Sequence, residues 1–313
     1  MVINPVNSSA GGLKTAPICA DKTNVVGPAP GAIKNREKLL ASANVAPPFS
    51  PILNRLLARM AHEDVQLSEL AELIEKDTVL AGNILRTVNS VLYGMVGEIN
   101  SIQHAVCILG LEKVRKIALT MSFANLWRRG PDAPGWSTIR FNLHSTAVGI
   151  LSDLMVQNLS AEYPEGAFLA GLFHDFGKLL IAHSLGADYE IFSRRCSEKD
   201  SDWEALEADL LGITHPELSA SALERWKLPH PIVEAVRLHH APEFTPAACV
   251  PLGRVVQTAD RCINKLGIRV SAESAEDETG AEEELETLGL GDRAARLLDE
   301  LLFELNMAKA FFH

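Results

Sequence analysis

Apolar residues along this chain recur three and four positions apart and almost nowhere alternate, which is the signature of helices buried on one face. Ile52, Leu53, Leu56, Leu57 and Met60 make the first stripe, entered through Pro47, Pro48 and Pro51. A second helix is predicted over 67–76. Asp77 or Thr78 caps a third, with the stripe Leu80, Ile84, Leu85, Val88 and Leu92 and a stop at Gly94. Helices over 101–109 and 112–127 follow, hinged at Gly110. Beyond the Pro/Gly-rich loop 128–135, the pattern predicts 139–159, 164–174, 178–184, 203–211, 216–226, 231–240 and 252–266. Pro216 and Pro231 fall in first turns, where a missing N–H does no harm. No hairpin signal interrupts this series, so the expected fold is all-α, in two packed lobes.

Residues 1–45, rich in Gly, Ala, Pro, Asn and Ser, read as a flexible N-terminal arm that turns helical around 33–40. The lobes run over 46–128 and 129–267. An acidic linker is expected over 268–288, since 271–287 carries eight carboxylates and no base. The tail, 289–313, reads as an amphipathic helix through Ala295, Leu297, Leu298, Leu301, Leu302 and Leu305, docking on the body or on a second copy in a homodimer.

Composition narrows the function classes. At 313 residues with 47% hydrophobic content, the chain has ample material for a core. Most of the net charge of −11 sits in the acidic run, and no basic patch interleaves with aromatics, so direct nucleic-acid binding is not expected. No run of about 18 apolar residues is present to span a membrane, and the N-terminus lacks a secretory pattern. Five cysteines (Cys19, Cys107, Cys196, Cys249 and Cys262) form no CxxC pair. Cysteines odd in number and so widely spaced indicate a reducing compartment, and the expected location is cytoplasmic.

One stretch breaks the apolar logic. AFLAGLFHDFGKLL, residues 167–180, sets His174 beside Asp175 at the end of an apolar helix, frees the backbone at Gly177 and adds Lys178. A buried carboxylate needs a partner charge or a metal. As plain structure, Asp175 would instead cap a following helix, and Lys178 would be an exposed lysine at its start. Other candidates lie along the later helices. His144 flanks the apolar face of 139–159, His215 precedes Pro216, His239 and His240 end 231–240, and Asp260 borders the stripe of 252–266. Each has a plain alternative: a hydrogen-bonded core histidine, a favourable charge at a helix end, or an Asp260 pair with Arg254 or Arg261.

Taken in order, H…HD…H…HH…D is a donor set for mid-row divalent metals such as Mn, Fe, Co, Ni or Zn. One ion would take His144, His174, Asp175 and Asp260. Asp175 would bridge to a second held by His215 with one or both of His239 and His240. Such a pair clamps a phosphoryl group and activates a bound water. Lys178 would meet a phosphate oxygen, making Asp175 and Lys178 the candidate catalytic residues.

The same residues carry a resemblance. AGLFHDFGKL resembles the central motif of the HD superfamily of metal-dependent phosphohydrolases. ILRTVNSVLYG, INSIQHAVCILGLEKVRKIAL and LGITHPELSASALERWKLPHPIVEAVRLHH are similar to the HDOD domain, the HD-related output domain of bacterial signalling proteins. The likeness covers about 46–266. It implies a two-lobed helical fold and a role in signal transduction, often through protein contacts after the metal ligands are lost; this chain keeps a complete-looking set. It departs from the cyclic di-GMP phosphodiesterases of the superfamily: 241–251 lacks a Gly-Tyr-Pro signature, and Arg140 stands where some relatives place a glutamate. Two functions follow as expectations, with a purely structural, metal-free scaffold as a weaker third. The first is a regulatory module with a retained metal site and a signalling-protein partner, placed on the surface of 84–93. The second is a hydrolase of a phosphorylated or nucleotide-like ligand.

Overall fold

Every regular element described is helical, apart from one isolated parallel bridge between Ala161 and Val250. The computed structural model describes residues 36–42, 67–90, 97–126, 130–196, 203–242, 244, 248–270, 280–309 and 312. The stripe at Ile52–Met60 lies outside them.

The arm expected over 1–45 is docked at its end. Residues 36–42 form a helix, α1, whose Leu39 is buried and whose Lys38 Nζ donates to Ser184 O at 2.5 Å. The first lobe then packs α2 (Leu67–Glu75), α3 (Thr78–Val88), α4 (Ile102–Leu109) and α5 (Leu111–Leu126). Asp77 caps α3, its Oδ1 accepting from the N–H groups of Val79 and Leu80. Helix α3 stops at Val88, short of the Gly94 anticipated from sequence. The Asn89 side chain accounts for this: it donates to Leu85 O and Ile99 O and accepts from Ile99 N–H, tying the helix end to the chain ten residues on. Of the expected partner surface over 84–93, Ile84, Thr87 and Val88 are buried in the lobe and Arg86 and Asn89 are exposed, while positions 91–93 lie outside the described residues.

The second lobe contains α6 (Thr138–Val156), α7 (Ala167–Phe173), α8 (Phe176–Leu185), α9 (Tyr189–Cys196), α10 (Trp203–Leu211), α11 (His215–Arg225), α12 (His230–Arg237) and α13 (Leu252–Lys265). Sequence periodicity missed α9 because the helix is short, only Tyr189, Phe192 and Cys196 are buried, and an exposed Ile191 among polar residues blurs the stripe. Aromatic rings join the lobes: Phe123 of α5 stands edge-on to Phe173 of α7 at 5.0 Å and beside Phe141 of α6 at 5.6 Å. Lys116 and Asp153 add an ion pair across the same seam. One apolar core runs unbroken through both lobes.

Part of the stretch read as an acidic linker is ordered helix. In α14 (Ala281–Glu286), Ala281 and Leu285 are buried, and Glu284 pairs with Lys265 at 2.9 Å. Two apolar residues one turn apart suffice to seat a short acidic helix on α13. Helix α15 (Ala294–Ala308) lays Leu297, Leu301 and Leu305 against α6. Among the described residues no helix is long and apolar enough to cross a membrane.

Candidate metal centre

Two close helix approaches assemble the site. Helices α6 and α7 touch through Gly149 and Gly171: a Cβ on Gly171 would lie 2.7 Å from Val148 O. This proximity brings His144 of α6 and His174, just past α7, within 3.3 Å, Nε2 to Nε2. The second approach is at Gly177. The sequence suggested that Gly177 frees the backbone, yet it sits inside regular α8. Its function is contact, since a Cβ there would lie 2.1 Å from His215 O at the start of α11. Ser219 locks the junction, accepting from Gly177 N–H at 2.7 Å and donating to His174 O at 2.9 Å.

The chain breaks helix at His174–Asp175, and Asp175 occupies the N-cap position of α8 without making a capping bond. Its fully buried carboxylate turns inward instead. Oδ2 lies 2.7 Å from Lys178 Nζ, 3.5 Å from His174 Nε2 and 3.6 Å from His144 Nε2. Oδ1 lies 3.2 Å from His215 Nε2 and 3.8 Å from His239 Nε2. Asp260 of α13 closes the first side, its Oδ1 3.1 Å from His144 Nε2 and 3.5 Å from His174 Nε2. It pairs with no arginine there, and Asn264, one turn on, donates to the same oxygen at 2.9 Å. His240 stacks at 4.1 Å on His239 and faces His215 at 5.1 Å. All seven candidate ligands are thus gathered around Asp175. Their donor atoms form two groups suited to an ion: His144, His174 and Asp175, and Asp175, His215, His239 and His240.

The far side of each ring decides what the near side offers. His144 Nδ1 meets Ile268 O at 2.7 Å, His174 Nδ1 meets Gly171 O at 2.7 Å, and His239 Nδ1 meets Val236 O at 2.6 Å. A carbonyl oxygen only accepts, so each Nδ1 carries the proton and each Nε2 turns a lone pair inward. His215 does the same against Glu207 Oε2 at 2.7 Å. Two lone pairs 3.3 Å apart on His144 and His174 repel unless a proton or a metal ion lies between them. Asp175 Oδ1, His215 Nε2 and His239 Nε2 are buried without a well-aligned hydrogen bond, although Asp175 Oδ1 and His215 Nε2 lie 3.2 Å apart. Orphaned acceptors converging on one point are costly without a cation.

Charge tuning divides the set: the two carboxylates, His239 and His240 are held in their unprotonated forms, while His144 and His215 are held toward protonation until a cation replaces the proton. Burial raises the pKa of Asp175, but Lys178, then His174 and His215, outweigh it and hold the carboxyl well below its usual range. Asp260 is likewise held well down, its burial overcome by His144 and His174. Burial pulls His144 down, yet Asp260 and Asp175 leave it raised. Glu207 and Asp175 lift His215 to about 9 against its burial. His239 and His240 are driven the other way by burial and by neighbouring imidazoles, His240 to about 3. Lys178 is no exposed helix-start lysine: its ammonium bonds Asp175 and lies 5.4 Å from the Trp203 ring centroid.

Glu207 escaped the sequence reading. Its signal was available, since Trp203, Glu207 and Leu211 share one helix face, placing a carboxylate on a buried stripe.

The HDOD domain model matches residues 46–242. An uncharacterized protein of Treponema pallidum is 25% identical over 205 residues, covering 65% of this chain and 39% of its own length. This chain thus spans about two fifths of that relative. An HDOD domain protein of unknown function from Geobacter sulfurreducens shares the fold at a TM-score of 0.70, with 24% identity over 89% of this chain and 97% of its own. A Shewanella amazonensis structure described as a candidate phosphohydrolase superposes at 0.68, with 21% identity over 88% and 98% of the two chains. A helical two-lobed fold, a family model covering most of its length and a buried His/Asp cluster lead to one conclusion: the chain belongs to the HDOD family.

Proposed function

We propose that this protein is a signalling module of the HDOD type that holds divalent transition metal in its second lobe and acts through a protein partner in the cytoplasm. One observation carries the metal part: the inward-facing Nε2 atoms of four imidazoles, each ring fixed by a bonded Nδ1, converge on two carboxylates in a buried pocket. One ion would be held by His144, His174, Asp175 and Asp260, and the other by Asp175, His215, His239 and His240. Regulation is favoured over turnover by burial, because six of these seven residues expose 4% or less of their surface. A centre so enclosed reports occupancy through the helices that carry it.

A second reading, metal-dependent phosphohydrolysis, is favoured by the carboxylate shared between the two groups and by the cation 2.7 Å from it. Bound metal would supply charge neutralisation and an activated water. In this reading Asp175 would be a ligand common to both ions, and Lys178, beside it, would hold a phosphate oxygen. The test is metal analysis of the purified full chain, followed by a screen of p-nitrophenyl phosphates and cyclic nucleotides. The regulatory reading expects bound metal, a melting temperature that falls on chelation, and no turnover. Turnover that disappears in Asp175→Ala makes the protein an enzyme. A chain that purifies without metal and takes up none removes both readings.

A further inference from the structure

We propose that Glu207 is a positioning residue, holding His215 in place for the ion on the Asp175–His215–His239–His240 side; this rests on the metal-holding function above. Glu207 is fully buried in α10, an element outside the ligand set. Its Oε2 accepts twice from one residue, from His215 N–H at 2.7 Å and from His215 Nδ1–H at 2.7 Å. One oxygen thereby fixes both the backbone at the start of α11 and the rotation of the ring. His144, His174 and His239 give their Nδ1 protons to neutral main-chain carbonyls, so a carboxylate behind His215 sets that ligand apart. A carboxylate is the stronger acceptor for an imidazole and makes its far nitrogen a better donor to metal.

Packing alone does not require an acid here. Trp203 and Leu211 share its helix face, and an apolar side chain between them would fill the space without leaving Glu207 Oε1 buried and unbonded. The same helix serves the centre a second time, because Trp203 lies beneath the Lys178 ammonium that bonds Asp175. Helix α10 therefore braces both ends of the Asp175–His215 contact from outside the ring of ligands.

The experiment is calorimetric titration of the metal-depleted full chain with Mn²⁺ and with Zn²⁺, the two binding events being assigned with His144→Ala and His215→Ala. Glu207→Ala is expected to weaken the event that His215→Ala removes by about 10–100-fold and to leave the other unchanged. Glu207→Gln, which keeps an acceptor oxygen but not the charge, should recover part of the loss. In the His215→Ala background Glu207→Ala should add nothing, whereas a merely structural defect would add to it. Should Glu207→Ala fail to fold by circular dichroism, Glu207→Gln alone and combined with His215→Ala decides the question. Two normal events in the variant, or equal weakening of both, overturn the role of Glu207 while the metal centre stands. No event in the unaltered chain overturns both.

Discussion

In the half of the centre built from His144, His174 and Asp260, the polar atoms already satisfy one another: Asp260 Oδ1 is 3.1 Å from His144 Nε2, and Lys178 sits on Asp175 Oδ2. In the half built from His215, His239 and His240, Asp175 Oδ1 and two Nε2 atoms make no well-aligned hydrogen bond, the nearest approach being 3.2 Å between Asp175 Oδ1 and His215 Nε2. The first half must give up a proton and compete with an ammonium to accept an ion. The second offers the lone pairs of His239 and His240 and faces no ammonium on Asp175 Oδ1, and only His215, raised to about 9, has a proton to give up. Their supports differ too. Gly171 O and Ile268 O, both main chain, brace the first, while the second adds to Val236 O behind His239 a side chain from another helix, Glu207, behind His215. Although the two halves share a carboxylate, they should differ in affinity, and the second should fill first.

The largest expected effect is that of Asp175→Ala. Both halves lose their common ligand, so metal content by mass spectrometry should fall to background; retention of one full ion would show that the halves do not depend on a shared bridge. Next come the single-half variants. With one equivalent of Co²⁺, the visible absorption of the bound ion should persist in His144→Ala and vanish in His239→Ala, and the opposite pattern would reverse the proposed order of filling. A smaller effect is expected from Gly177→Ala. Its methyl group would meet His215 O at 2.1 Å, so ~1–3 kcal/mol of stability should be lost through overpacking. The weaker affinity should fall on the His215 side, and a melting temperature equal to that of the unaltered chain would dispute the tight α8–α11 contact.

The most gradual effect is that of pH on chelated protein. His215, raised to about 9, contributes stability that is complete below its unfolded value near 6.5 and is lost as pH rises toward 9. His240, lowered to about 3, contributes stability that is present above 6.5 and is lost as pH falls toward 3. The lowered His239 acts in the same direction as His240. The melting temperature of chelated protein should therefore peak near pH 6.5 and decline on both sides, and a steady rise or fall between pH 5 and 9 would contradict the opposed tuning.

Much of this was legible in the chain. Apolar spacing located nearly all the described helices, and 203–211 matches α10 residue for residue. The order of His144, His174, Asp175, His215, His239, His240 and Asp260 gave the candidate donors because imidazole and carboxylate at the edges of apolar faces are chemically out of place. Local signals failed where a distant residue decides: Asn89 ends α3 by bonding Ile99, and Leu285 seats an acidic stretch on α13.

By itself the sequence determined that the chain is helical and which side chains are available to a metal, since both depend on periodicity and residue type. Only the tertiary structure decided that those side chains meet, through helix contacts at Gly149–Gly171 and Gly177 in which a Cβ on Gly171 or Gly177 would collide with backbone. It also decided which nitrogen of each ring faces inward, because that depends on an acceptor behind it, which for His144 and His215 comes from another part of the chain. Helix periodicity repeats within a few residues, whereas a ligand's orientation depends on what packs against its back.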